Sequence, residues 1–261
     1  MDTNRELWQE RAAGDASRQW ESLTTEPAGL ETALTMRPPD APDDLTLMAI
    51  HGGGFVSGSI ETHRRMFGHL ALAAGLTTVV VEYGLVPEHV FPSQLDQVTE
   101  AFRRLPGRVA IVGDSCGATL ALGVALRERD AGPAALMLMS PWVDFTFSGP
   151  GYDAGTDPFF SREVVRGLAA AYLAGADYPA EVDPGRADLR RLPPTYVQVG
   201  ADEALVDDAR LLTGRLREAG VDVMLDEFAG QLHTFQMGAG NSAVADDAIG
   251  KAGAWLRSTL R

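Results

Sequence analysis

Apolar positions along this 261-residue chain switch repeatedly between two periods. Residues 45–50 (LTLMAI), 77–83 (TTVVVEY), 108–114 (RVAIVGD), 134–140 (AALMLMS), 195–200 (TYVQVG) and 222–228 (DVMLDEF) are short apolar runs, several rich in β-branched residues, and predict buried strands. Between them apolar residues recur three and four apart. Met66, Phe67, Leu70, Ala71 and Ala74 form one such face, and Val98, Ala101, Phe102 and Leu105 a second. Residues 116–129 continue the pattern, as do Leu205, Ala209, Leu212, Leu216 and Ala219, and finally Ala245, Ile249, Ala252, Leu256 and Leu260. These predict helices. Strands alternating with helices imply a single α/β domain over 1–261, with a mostly parallel, doubly wound sheet and helices on both faces.

Two segments fall outside the alternation. Leu7, Trp8, Ala12, Ala16 and Trp20 predict an amphipathic N-terminal helix, and 24–44, rich in Pro, Thr and Asp, reads as irregular. Residues 1–40 are expected to contribute to a lid. The interval 144–194 is far longer than one crossover needs. It contains FFSREVVRGLAAAYLAG, a helix pattern with Ser161 as N-cap. An insertion beyond the carboxyl ends of parallel strands is placed to act as a helical lid.

Composition narrows the partners. The chain has 22 basic and 36 acidic residues, a net charge of −14, which disfavours nucleic acid and anionic membranes. Its single cysteine, Cys116, can form neither an internal disulfide nor a Cys-based zinc site. The N-terminus lacks a signal-peptide pattern and no apolar run is long enough to span a bilayer, so a cytoplasmic location is expected. The oligomeric state, homodimer included, stays open.

The chemistry begins at IVGDSCGA, where Ser115 stands between a predicted strand and a predicted helix, flanked by Gly113 and Gly117. That setting gives G-x-S-x-G a mechanism: a sharp turn lifts the hydroxyl above the sheet at a helix N-terminus. A serine nucleophile needs a base, and the base an orienting carboxylate. Of the five histidines, His63 and His69 lie on a predicted helix as surface or half-buried residues, and His89 lies in a Pro-flanked loop. His233, in GQLHTFQ after the last strand, is placed to be the base. The segment VGADEALVDDA offers Asp202, Glu203, Asp207 and Asp208 as the acid. Asp202 is selected, because it is predicted above the strand end, whereas Asp207 and Asp208 read as a solvated helix start. HGGGF, 51–55, follows a strand directly. Its glycines let main-chain amides approach a developing oxyanion, so Gly53 and Gly54 are expected to donate together with the Cys116 amide. A phosphate loop is the competing reading, but neither glycine-rich phosphate motif is present.

HGGGF, YGLVPEHVFP, GDSCGA, SPWVDFT, VGADEALVDDA and GQLHTF, in this order over about residues 45–260, resemble the hormone-sensitive-lipase-like carboxylesterases of the α/β hydrolases. The resemblance implies a Ser115–Asp202–His233 triad and an oxyanion hole from Gly53, Gly54 and Cys116. It further implies a structural role for His51, no metal or cofactor, and a small-molecule ester or lactone as substrate. Phe55 and Trp142 are the candidate substrate-binding residues, with Phe159, Val164, Val165, Leu168 and Tyr172 as further wall. The chain departs from the family pattern at Gly84, usually Arg, at Cys116, usually Ala, and at Ala118, usually Gly. The segment before HGGG is expected to be too short for the pair of leading strands. A cyclase, a dehydratase or a small-molecule receptor on the same fold is the alternative function.

Overall fold

The computed structural model describes residues 24–27, 33–180 and 183–261. The N-terminal helix expected around Leu7–Trp20 lies outside them. Eight strands among the described residues form one sheet: β1 (Thr24–Pro27), β2 (Ala33–Arg37), β3 (Leu45–Ile50), β4 (Thr77–Val81), β5 (Arg108–Asp114), β6 (Leu136–Met139), β7 (Thr195–Gly200) and β8 (Val223–Phe228). Their order is β1-β2-β4-β3-β5-β6-β7-β8. From β4 to β8 all pairings are parallel, while β1–β2 and β2–β4 are antiparallel. Two stretches of 24–44 expected to be irregular are thus strands, and the pair of leading strands judged not to fit is present. The β2 run ALTMR is short, mixed in polarity and only partly buried, so it carries little of the apolar signal that marks a strand buried on both faces.

The crossover helices are α1 (Ile60–Ala74), α2 (Ser93–Arg104), α3 (Cys116–Arg127), α5 (Val206–Glu218) and α6 (Ala243–Thr259), with α4 (Arg162–Leu173) in the β6–β7 interval. The strand period of two divides the core between the sheet's faces. Met48, Ile50, Ile111, Leu138 and Val199 face α2, α3 and α5. Leu47, Ala49, Val112, Met137 and Tyr196 face α1 and α6. No helix among the described residues is long and apolar enough to cross a membrane.

This topology places the chemistry. The chain leaves β3 toward β4 on one side and later returns to β5 on the other, so the carboxyl ends of β3 and β5 flank the topological switch point. Ile50 pairs with Gly113 at those ends. The HGGGF loop and Ser115 therefore emerge side by side, and the Gly52 amide donates to Asp114 Oδ1 at 2.9 Å.

The start of α5 differs from the solvated end expected of it. Asp208 is buried, and its Oδ2 accepts from the amides of Val143 and Asp144 while Oδ1 accepts from Tyr152 Oη. Asp207 is half-buried and accepts from the Gly151 amide. These carboxylates tie the loop after β6 to α5. Asp208→Ala is expected to destabilise the fold by about 3 kcal/mol or more in urea unfolding, since several buried donors lose their acceptor. Burial, outweighing the hydrogen bonds, pushes the Asp208 carboxyl up to about 7. Its folded value lies above the ordinary carboxyl value, roughly 4, so the native state holds a proton that the unfolded chain has lost. Stability should therefore fall as pH rises from about 4 to 7, and Asp208→Asn should flatten that slope.

Candidate active site

Ser115 closes the turn between β5 and α3 with φ 52° and ψ −122°, a conformation that costs a non-glycine residue about 1–3 kcal/mol. The flanking glycines make this turn feasible. A Cβ on Gly113 would lie 2.4 Å from Gly117 O, and one on Gly117 would lie 2.2 Å from Ile50 O. The strained turn sets the serine at the N-terminus of α3, where helix amides and dipole favour negative charge.

His233 Nε2 lies 2.9 Å from Ser115 Oγ, and its Nδ1 lies 2.9 Å from Glu203 Oε1. All three side chains are buried. The carboxylate partner is Glu203, which corrects the expectation of Asp202. The cause is a tight turn after β7, in which the Glu203 amide donates to Gly200 O at 3.4 Å. The turn holds Asp202 at its exposed corner and brings Glu203 back toward the strand ends. Asp202 is engaged through its main chain: its amide donates to Gln231 O, and its carbonyl accepts from Thr156 Oγ1.

Glu203 is itself held in place. Oε2 accepts from Ser140 Oγ at 2.7 Å and from the Gly200 amide at 2.9 Å, and Ser140 Oγ also accepts from the Thr234 amide next to His233. Ser140 thus joins the loops that carry Glu203 and His233, a part the sequence reading missed. Its one signal is position: like Ser115, it directly follows a strand and has positive φ.

The HGGGF loop lies beside Ser115. Gly53, at φ 118°, turns the loop so that its carbonyl accepts from the amides of Val56 and Ser57. His51 is fully buried, stacked on Tyr83 at 4.3 Å with Nε2 3.2 Å from Glu82. Cys116 Sγ accepts from the Phe55 amide at 3.3 Å and lies 3.6 Å from Tyr83 Oη, which in turn donates to His51 O. Tyr83 and Cys116 therefore grip the two ends of the loop. Burial pushes the thiol up to about 12. It stays protonated near neutrality and acts in packing. At Gly84 the missing side chain leaves room for the His89 ring, which lies 2.2 Å from where a Cβ would stand.

Other expected positions shift. His63 and His69 are buried rather than half-exposed, His63 with Nε2 3.4 Å from Asp114 Oδ2. Phe55 and Trp142, the candidate substrate-binding pair, are both buried. The Phe55 ring stacks on Tyr172 at 3.7 Å and lies 5.6 Å from Trp142. The Trp142 amide donates to Ser115 O. Helix α4 reaches the same place, because Leu168 occupies the space a Cβ on Gly54 would need. Phe160 stands edge-on to His233, centroids 4.6 Å apart.

Comparison with known proteins places the fold among known families. A family model described as the alpha/beta hydrolase fold matches residues 47–237. An acetyl-hydrolase of Streptomyces hygroscopicus is 35% identical over 240 residues, covering 87% of this chain and 80% of that protein. A carboxylesterase of Mycobacterium tuberculosis is 30% identical over 244 residues, covering 85% and 76%. A crystal structure of an esterase from the bacterial hormone-sensitive lipase family superposes with TM-score 0.87 at 34% identity, covering 100% of this chain and 98% of that one. Another, of an esterase/lipase from an uncultured bacterium, gives 0.89 at 30% identity, covering 99% and 90%. With the fold, the family model and these relatives in agreement, the chain belongs to the alpha/beta hydrolase family, in its hormone-sensitive-lipase-like branch of esterases.

Proposed function

We propose that the protein hydrolyses small carboxylic esters or lactones through an acyl-enzyme on Ser115. The observation that carries this reading is the buried chain of hydrogen-bond contacts Ser115 Oγ–His233 Nε2 and His233 Nδ1–Glu203. Ser115 Oγ attacks the carbonyl carbon as its proton passes to His233 Nε2. Glu203 fixes the imidazole tautomer and stabilises the imidazolium. The amides of Gly53, Gly54 and Cys116 receive the oxyanion. The tetrahedral adduct expels the alcohol, which takes the proton from His233. Water, deprotonated by the same imidazole, then releases the acid. A complete relay favours turnover over a receptor role, which could dispense with the base.

Helix α4 and the segment before it serve as the lid over this site. The acyl group is short. The rings of Phe55, Tyr172 and Trp142 fill the volume beside the oxyanion loop, and stacked rings leave little room for a long chain. Across p-nitrophenyl esters of two to twelve carbons, kcat/KM should peak between two and six. A methylene rejected by the pocket should cost about 10-fold or more. A peak at eight carbons or beyond would show an apolar channel instead.

A further inference from the structure

The segment 156–160 is tied to the turn that carries Glu203 on both sides of that residue. Thr156 Oγ1 donates to Asp202 O at 2.7 Å, and the Ala204 amide donates to Asp157 Oδ2 at 3.1 Å. The other oxygen of Asp157 accepts from the amides of Phe159 and Phe160, at 2.8 and 3.1 Å. One carboxylate thus spans from the acid turn to Phe160. Phe160, half-buried, presents itself edge-on to the His233 imidazole at 4.6 Å and 70°.

The chemistry of ester cleavage gives that placement a meaning. The departing oxygen must lie beside the nitrogen that protonates it, while the carbonyl oxygen lies among the amides of the oxyanion loop. The imidazole therefore marks the leaving-group side of the site. We infer that Phe160 is a specificity-determining residue for the alcohol portion of the substrate, and that Asp157 is the positioning residue that sets it there. This inference rests on the serine-hydrolase reading. It concerns only the half-reaction that forms the acyl-enzyme, because the alcohol has left before deacylation begins.

That division supplies the test. With acetate held constant, kcat/KM is measured for methyl, ethyl, phenyl and cyclohexyl esters, and the deacylation constant is taken from the burst and steady state with p-nitrophenyl acetate. Phe160→Ala should raise the ratio of kcat/KM for bulky over methyl esters by about 10-fold or more, the scale of a side-chain-sized change in a pocket. The deacylation constant of a given variant should be the same from all four esters, because the acetyl-enzyme is common to them. Asp157→Ala should shift the ratio in the same direction. Asp157→Asn, which keeps an oxygen for the Phe160 amide, should shift it less. Circular dichroism and urea unfolding identify folded variants, and Phe160→Leu replaces Phe160→Ala if the latter does not fold. An unchanged leaving-group ratio in a folded Phe160 variant overturns the inference, as does a change confined to the acyl-length profile at constant p-nitrophenol. Labelling of wild-type Ser115 by a fluorophosphonate separates the two levels. Labelling with an unchanged ratio removes this inference alone, whereas failure to label removes the hydrolase reading beneath it.

Discussion

Replacing Glu203 with Gln is expected to lower kcat about 10⁴-fold with little change in KM, the scale of the analogous carboxylate-to-amide change in a serine protease. The introduced side chain could keep a contact with His233 Nδ1 but would present a neutral amide to it. The imidazole would then lose both its preferred tautomer and the charge that stabilises its protonated form. The buried setting makes the change severe, because Ser140 Oγ and the Gly200 amide both aim at an acceptor. Asp202→Asn, one residue away, should leave kcat within about two-fold of wild type, as an exposed substitution does. Ester hydrolysis by the two purified variants decides the matter. An inactive Asp202→Asn beside an active Glu203→Gln would reverse the assignment.

Ser115→Ala is expected to cost about 10⁶-fold in kcat, as removal of the nucleophile does in a serine protease. The fold should tolerate it, since Ala adds no bulk, although the positive φ at this position remains strained. In the wild type, a sulfonyl fluoride or organophosphate should add one group per chain, and peptide mapping should place it on Ser115. Iodoacetamide at about pH 8 should leave Cys116 unmodified, because the thiol is buried and its value is pushed up to about 12. An organophosphate adduct on Cys116, or full activity in Ser115→Ala, would show that the neighbouring sulfur is the reacting atom.

Residues 45–50, 108–114 and 195–200 carried their strands in plain view, because each is buried on both faces and a continuous apolar run records that burial directly. The alternation of those runs with helix periods was enough to imply a parallel sheet, and the crevice beyond its carboxyl ends followed from it. Ser115 and the HGGGF loop were legible for a different reason. Their glycines satisfy local steric demands, visible wherever the backbone must turn sharply or pass close to another strand. His233 was legible by order and by elimination.

Tertiary structure decided what depended on small displacements or on a distant partner. Four acids stand within seven residues of one another, and composition cannot rank them. A tight turn after β7 exposes Asp202, returns Glu203 to His233 and leaves Asp208 to bind the loop after β6. The strands β1 and β2 escaped notice because main-chain pairing, β1 to β2 and β2 to β4, joins them to the sheet, and ALTMR is too short and mixed to read as a buried run. Ser140 and Phe160 meet Glu203 and His233 across 63 and 73 positions of sequence. Periodicity is a local record of burial, and glycine a local record of tight turns, so the chain itself determined its elements and the turn that carries Ser115. Which carboxylate meets His233, and which ring stands beside it, was decided by the meeting of loops that are far apart in sequence.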